Sequence, residues 1–127
     1  LIDWDALVEK ARQVRENAYA RFSGFEVGAA LLTDDGRIIS GCNVENSSLS
    51  LTICAERAAV FKAVSEGHTG FRAIVVYSSS DPPARPCGAC RQVLYQFNPD
   101  MEVLCVNGKG DKDKFVLSQL LPEGFRH

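Results

Sequence analysis

Thr52-Ile53-Cys54-Ala55-Glu56-Arg57-Ala58 opens a stretch that runs to Val64, stops at Gly67 and resumes as Phe71-Arg72-Ala73-Ile74-Val75-Val76-Tyr77. The first half reads as a helix. Thr52 has a hydroxyl suited to cap a helix start, and Gly67 is a typical stop. The second half is a compact apolar run, the pattern of a strand buried on both faces. A helix leading into a buried strand is the repeating unit of an α/β fold, and the flanks extend it both ways. Upstream, Val27 to Thr33 and Arg37 to Asn43 flank the turn signal Asp34-Asp35-Gly36 and predict a β-hairpin. Before it, residues 3–20 predict a helix capped by Asp3, with Leu7, Val8, Ala11, Val14 and Ala18 at helical spacing. Downstream, Cys87 to Phe97 reads as a helix ending before Asn98-Pro99, and Glu102 to Val106 as a strand. Lys114 to Val116 adds a short strand and Leu117 to Leu121 a last helical turn. Asn43 to Ser50 and Ser78 to Pro86 are loops. This order predicts an α/β three-layer α-β-α sandwich around a mixed sheet of about five strands, with right-handed crossovers, as one domain over 1–127.

Composition narrows the function. The net charge is −2, with 46% apolar and 24% charged residues, and the Lys and Arg residues form no long run. A polynucleotide-binding domain is more often basic, so a small-molecule substrate is favoured, with no nucleic acid and no membrane as partner. No apolar run reaches the roughly 18 residues of a membrane span. Leu1 to Tyr19 is charged and amphipathic rather than a signal peptide, and the absent initiator Met reads as a trimmed chain. A cytoplasmic location is the expectation. The five cysteines are an odd number, and Cys87-Gly88-Ala89-Cys90 fits metal or redox work better than a disulfide framework.

The chemistry gathers at two places, Cys54-Ala55-Glu56-Arg57 and Pro86-Cys87-Gly88-Ala89-Cys90. Three thiolates leave one position open on a tetrahedral Zn²⁺, and an open position marks a catalytic rather than a structural zinc. Cys54 and Glu56 are two apart and do not share a helix face, so both serve one site only if it lies beyond the helix end. With Thr52 as cap, Cys54 falls in the first turn, and Pro86 suits the start of the later helix. Two helix N-termini then face one ion, where the helix dipole favours thiolate. Three thiolates on Zn²⁺ carry a net negative charge, and Arg57 is the available cation to offset it. Glu56 is the acid/base candidate. Cys42 and Cys105 stand singly and read as small apolar residues. His68 and His127 read as solvated.

At these residues the chain closely resembles the small, homotetrameric, zinc-dependent cytidine deaminases. The motifs are Phe25-x-Val27-Gly28-Ala29-Ala30, Gly41-Cys42-Asn43-Val44-Glu45-Asn46, Cys54-Ala55-Glu56-Arg57 and Pro86-Cys87-Gly88-Ala89-Cys90-Arg91-Gln92-Val93-Leu94, and the likeness runs from the first helix to Phe125. It implies Cys54, Cys87 and Cys90 as ligands of one Zn²⁺ per chain, and Glu56 as the proton shuttle. It implies Phe25 packing on the pyrimidine, and Asn43 with Glu45 binding a ribose hydroxyl. It further implies the Ala55 backbone amide at the base, Arg57 beside the thiolates, and Phe125 closing the cavity of a neighbouring subunit. A homotetramer with shared active sites follows. The reaction implied is hydrolytic deamination of cytidine or deoxycytidine to uridine or deoxyuridine plus ammonia, in pyrimidine salvage.

Five positions depart from the family pattern: Phe22, Gly24, Glu26, Leu49 and Arg85. Leu49 stands where Tyr is usual, so an alternative substrate is a modified cytosine nucleoside. A nucleoside antibiotic or an N4-substituted cytidine would then be deaminated or hydrolysed at N4. A nucleic-acid-editing module and a non-catalytic zinc domain are the other readings. The acidic balance counts against the first and Glu56 against the second.

Overall fold

A computed structural model describes residues 1–127. The sheet is mixed and five-stranded, in the order β2-β1-β3-β4-β5. Its strands are β1 (Gly28–Thr33), β2 (Ile38–Cys42), β3 (Phe71–Ser78), β4 (Glu102–Asn107) and β5 (Lys112–Val116). Among neighbouring strands only β3 and β4 run parallel, joined by the crossover through the third helix, while the crossover from β2 to β3 skips over β1; the other pairs are antiparallel. The helices are α1 (Trp4–Arg15), α2 (Ala55–Ser65), α3 (Gly88–Phe97) and α4 (Leu117–Leu120).

The three layers follow from strand alternation. Ala73, Val75 and Tyr77 of β3 point to one face, where they meet Leu7 and Ala11 of α1. Ile74 and Val76 point to the other, against Ala55, Ala59, Val60 and Ala63 of α2, Leu94 of α3 and Leu117 of α4. Both faces of β3 are therefore buried, which is why its sequence shows no polar alternation. The expected α-β-α sandwich is what forms.

Two expected boundaries are corrected. The first helix ends at Arg15 rather than residue 20. Asp3 does cap it, its Oδ1 accepting from the Ala6 N–H at 3.1 Å. Past Arg15, however, the Tyr19 backbone pairs with the loop after β2: Tyr19 N–H donates to Asn43 O at 2.9 Å and Glu45 N–H to Tyr19 O at 2.8 Å. That long-range pairing overrides the local helical spacing of Val14 and Ala18. The second helix starts at Ala55, with Cys54 and not Thr52 as its N-cap. Val44 and Ile53 exchange two backbone hydrogen bonds of 3.0 Å, and this holds the chain extended up to Cys54. A single 3-10 turn, Leu49–Leu51, precedes it. Gly67 ends the α2 region in the left-handed conformation (φ 91°), as its position implied.

The helix carrying the site lies very close to the sheet. A Cβ on Gly41 of β2 would sit 2.5 Å from the Ala59 nitrogen and 2.8 Å from the Ala55 oxygen, both backbone atoms. Backbone cannot swing aside as a flexible side chain can, so Gly41→Ala must push α2 off β2. Overpacking of this kind costs about 1–3 kcal/mol. For a chain of this length we expect Tm to fall by about 4–11 °C, read by differential scanning calorimetry.

Candidate metal centre and cavity

Cys54 and Cys87 are each the N-cap of a helix, and neither makes a side-chain capping bond. Their thiols turn instead toward each other and toward Cys90 in the first turn of α3. The three Sγ atoms lie within 4.8 Å of one another. Pro86 thus stands immediately before the N-cap. A tetrahedral ion with metal–sulfur bonds of about 2.3 Å sets its sulfurs about 3.8 Å apart. The Cys54 and Cys87 sulfurs are 3.7 Å apart.

Arg57 completes the environment. Its Nη2 donates to Cys54 Sγ at 3.2 Å. Its Nε is buried and has no hydrogen-bond partner in the chain. A guanidinium placed against sulfur with an idle donor suits a site that gains negative charge when thiolates gather on a metal. Even without metal the cluster favours one thiolate. The hydrogen bond from the Cys90 thiol, with those from Arg57 and Cys87, holds Cys54 below its ordinary range. The same contact and burial push Cys90 up. Sulfur spacing, donor set and adjacent cation all fit a zinc ion held by Cys54, Cys87 and Cys90.

Glu56 follows Cys54 by two residues and lies over the helix end, as the spacing required. It is only 4% exposed. Burial drives its carboxyl up to about 7, and the nearby Cys54 thiolate adds to the rise. A carboxyl poised there both accepts and donates protons near neutrality. It lines a cavity of about 250 Å³ together with Cys54, Ala55, Cys87, Phe25, Asn43 and Glu45. Residues from four separate chain segments thus meet at one place. Cys90 is buried and does not line the cavity.

Asn43 and Glu45 are not an ordinary solvated turn. Asn43 Oδ1 accepts from the Val27 N–H at 2.9 Å, and its Nδ2 donates to Phe25 O at 2.7 Å. Glu45 accepts from the Phe22 N–H at 2.9 Å, the Ser23 N–H at 3.1 Å and the Ser23 hydroxyl. The Ser23 hydroxyl holds the Glu45 carboxyl below the usual carboxylate range. Ser23 Oγ also accepts from the Phe25 N–H at 3.0 Å. The two loop residues therefore clamp the segment that presents Phe25 to the cavity. Sequence reasoning missed Ser23, because nothing local ties it to a carboxylate 22 residues away.

Phe125 lies outside this cavity. It is 65% exposed, and its carbonyl accepts from Gln92 Nε2 at 2.9 Å. Arg85 does line the cavity, yet its guanidinium is occupied elsewhere. It donates to Pro83 O at 2.7 Å, pairs with Asp113 at 3.0 Å and stacks 5.1 Å from the Phe115 ring centre. Leu49 is 75% exposed in the 3-10 turn and does not line the cavity in this chain. Cys105 is buried in β4, and Cys42 is half-buried at the end of the edge strand β2; neither joins the thiol cluster.

Comparison with known proteins agrees with this geometry. The profile of the family described as "Cytidine and deoxycytidylate deaminase zinc-binding region" matches residues 3–106. A cytidine deaminase of Sporosarcina psychrophila is 48% identical over 125 residues, covering 98% of this chain and 92% of that protein. One from Halalkalibacterium halodurans is also 48% identical over 125 residues, covering 98% and 95% respectively. The crystal structure of cytidine deaminase from Burkholderia pseudomallei aligns with a TM-score of 0.94 at 46% identity, covering 98% of this chain and 100% of that one.

Proposed function

The chain belongs to the zinc-dependent cytidine deaminases, and from that membership we propose that it hydrolyses cytidine and deoxycytidine to uridine and deoxyuridine, releasing ammonia. The observation that carries the reading is Glu56. A purely structural zinc site has no use for a buried carboxyl two residues behind a ligand, opening onto a cavity.

Zinc held by Cys54, Cys87 and Cys90 supplies, when bound, an acidified water at neutral pH. Glu56 would take a proton from the attacking water as the water oxygen bonds to C4 of the pyrimidine. The protonated carboxyl then gives the proton to ring N3, which neutralises the charge developing there. In the second half Glu56 moves the hydroxyl proton from the C4 oxygen to the amino nitrogen. The C4–N4 bond breaks, ammonia leaves and the C4 carbonyl forms, so water in and ammonia out balance the reaction. The Ala55 backbone amide orients the base and Phe25 packs on its ring. Asn43 and Glu45 bind the ribose hydroxyl with the donor and acceptor capacity left beyond their clamp on the Phe25 segment. Arg57 offsets the net negative charge of the three thiolates.

The enzyme acts as one zinc domain over 1–127 and assembles as a homotetramer, with Phe125 closing the cavity of a neighbour. Surface chemistry supports the assembly. Phe61 and Val64 lie exposed on α2, and Phe22, Val44, Leu49 and Leu51 lie exposed on the loops around Glu45. So much apolar surface on a small chain calls for cover. No helix is long and apolar enough to cross a membrane. A cytoplasmic role in pyrimidine salvage completes the proposal. The modified-nucleoside alternative is not favoured. Leu49 is outside the cavity wall of this chain, and Arg85, which lines it, has its guanidinium paired with Asp113 at the edge of the sheet rather than free to meet a bulky N4 group.

The test follows cytidine, deoxycytidine and an N4-substituted cytidine by loss of absorbance, with zinc counted on the same samples and the mass taken by light scattering. Turnover of both plain nucleosides is expected, with about one zinc per chain and a mass of four 13.9 kDa chains. Zinc at that ratio without turnover of either plain nucleoside would overturn the substrate assignment.

A further inference from the structure

Arg91 follows Cys90 in the first turn of α3, is half-buried, and has no part in the mechanism above. Its Nε donates to Pro86 O at 2.7 Å, and its Nη1 donates to Leu120 O at 2.8 Å. Pro86 O belongs to the peptide that delivers Cys87. Leu120 O closes α4, where the C-terminal tail begins. On the next residue, Gln92 Nε2 donates to Phe125 O at 2.9 Å. Two neighbouring side chains on α3 thus hold the segment in front of one thiol and both ends of the tail.

The arrangement has a physical cause. An N-cap side chain normally satisfies the free N–H groups of its helix and fixes the chain entering it. Cys87 cannot do this, because its thiol faces the other two sulfurs. The chain entering α3 needs another restraint, and Arg91 reaches back across the first turn to supply it. The second carbonyl lies 29 residues further on, so one planar fork ties two distant segments. A lysine ammonium is a compact point charge without the fork needed to hold both.

We infer that Arg91 is a positioning residue that couples the zinc loop to the C-terminal tail. It sets how firmly Cys87 presents its thiolate, and it keeps the Phe125 segment docked on α3. This rests on the zinc site described above. Changing a partner one step removed from the ligands typically weakens metal binding by 10–100-fold.

The experiment uses the zinc-loaded chain and four variants: Arg91→Lys, Arg91→Ala, Gln92→Ala and Leu7→Ala. Leu7 of α1 is buried against the opposite face of the sheet, so Leu7→Ala controls for loss of stability alone. One readout is the rate of zinc transfer to an excess of chromogenic chelator. The other is the rate at which carboxypeptidase trims the tail, followed by mass spectrometry. Both Arg91 variants are expected to lose zinc at least about 10-fold faster and to be trimmed faster. Gln92→Ala should speed trimming alone, and Leu7→Ala should leave zinc transfer within twofold of the parent. Should Arg91→Ala fail to fold, Arg91→Lys, which keeps the stem and the charge, carries the test. Zinc transfer within twofold of the parent in Arg91→Lys overturns the inference. So does acceleration by Leu7→Ala to the same degree as by the Arg91 variants. Both readouts are taken without substrate, so they stand whether or not the chain deaminates cytidine.

Discussion

Glu56→Gln should leave a folded, zinc-loaded protein whose kcat on cytidine is lower by about 10²–10⁴-fold, the range that a positioned general acid–base supplies. Glutamine has the shape of glutamate and fits the same buried site at the start of α2. It cannot take a proton from water or pass one to a ring nitrogen, and every transfer in the proposed cycle uses that carboxyl. Zinc content should not change, since Glu56 is not one of the three clustered thiols. The measurement is single-substrate kinetics with zinc determined on the same sample. A variant keeping more than a tenth of the parental kcat would remove Glu56 from the centre of the mechanism. Loss of zinc along with activity would instead mean that its role is to build the metal site.

Cys87→Ser should cost the zinc and the activity together, yet spare the helix. Serine is among the better N-cap residues, worth about 1 kcal/mol over a residue that cannot cap. Cys87 occupies an N-cap position without making a capping bond. Zinc should fall to under a tenth of the parental content, with deamination at background even after zinc is added back. Compared under chelator, so that both proteins are metal-free, the variant should unfold no earlier than the parent. Calorimetry and metal analysis together decide this. Cys105→Ala supplies the contrast. That thiol is buried in β4 away from the cluster, so zinc should be retained and only the cost of a small cavity should appear. Zinc retained by Cys87→Ser, or lost by Cys105→Ala, would mean that the ligand set is wrong.

Much of the architecture was legible because its causes are local. The apolar run Phe71 to Tyr77 announces a strand buried on both faces, since its residues alternate between the α1 side and the α2 side. Asp34-Asp35-Gly36 announces the hairpin, and Gly67 the end of α2, from backbone chemistry within a few residues. The thiol pattern and Glu56 were equally legible. A ligand at a helix start, a carboxyl two residues on and a second pair of thiols at another helix start can meet in few ways.

What stayed hidden depends on partners far along the chain. Thr52 looks like a helix cap by composition, but in the fold its hydroxyl accepts from the Asn46 N–H at 3.2 Å, and the helix starts at Cys54. The same pairing of Tyr19 with the loop after β2 shortens α1. Asn43 and Glu45 could be named as polar groups on one loop, yet that they grip the backbone around Phe25 emerges only once β2 and the Tyr19–Phe25 segment lie side by side. Arg91 gave no sign that it would join Pro86 to Leu120. The sequence alone determined the order of elements, the faces of the strands and the chemistry of the cluster, because periodicity, turn residues and ligand types act over a few residues. Only the tertiary structure decided where the helices begin, what Asn43, Glu45, Ser23 and Arg91 hold, and which way Arg85 turns. Each of these is a hydrogen bond or ion pair between segments far apart in the chain, and its geometry does not exist until the sheet has brought them together.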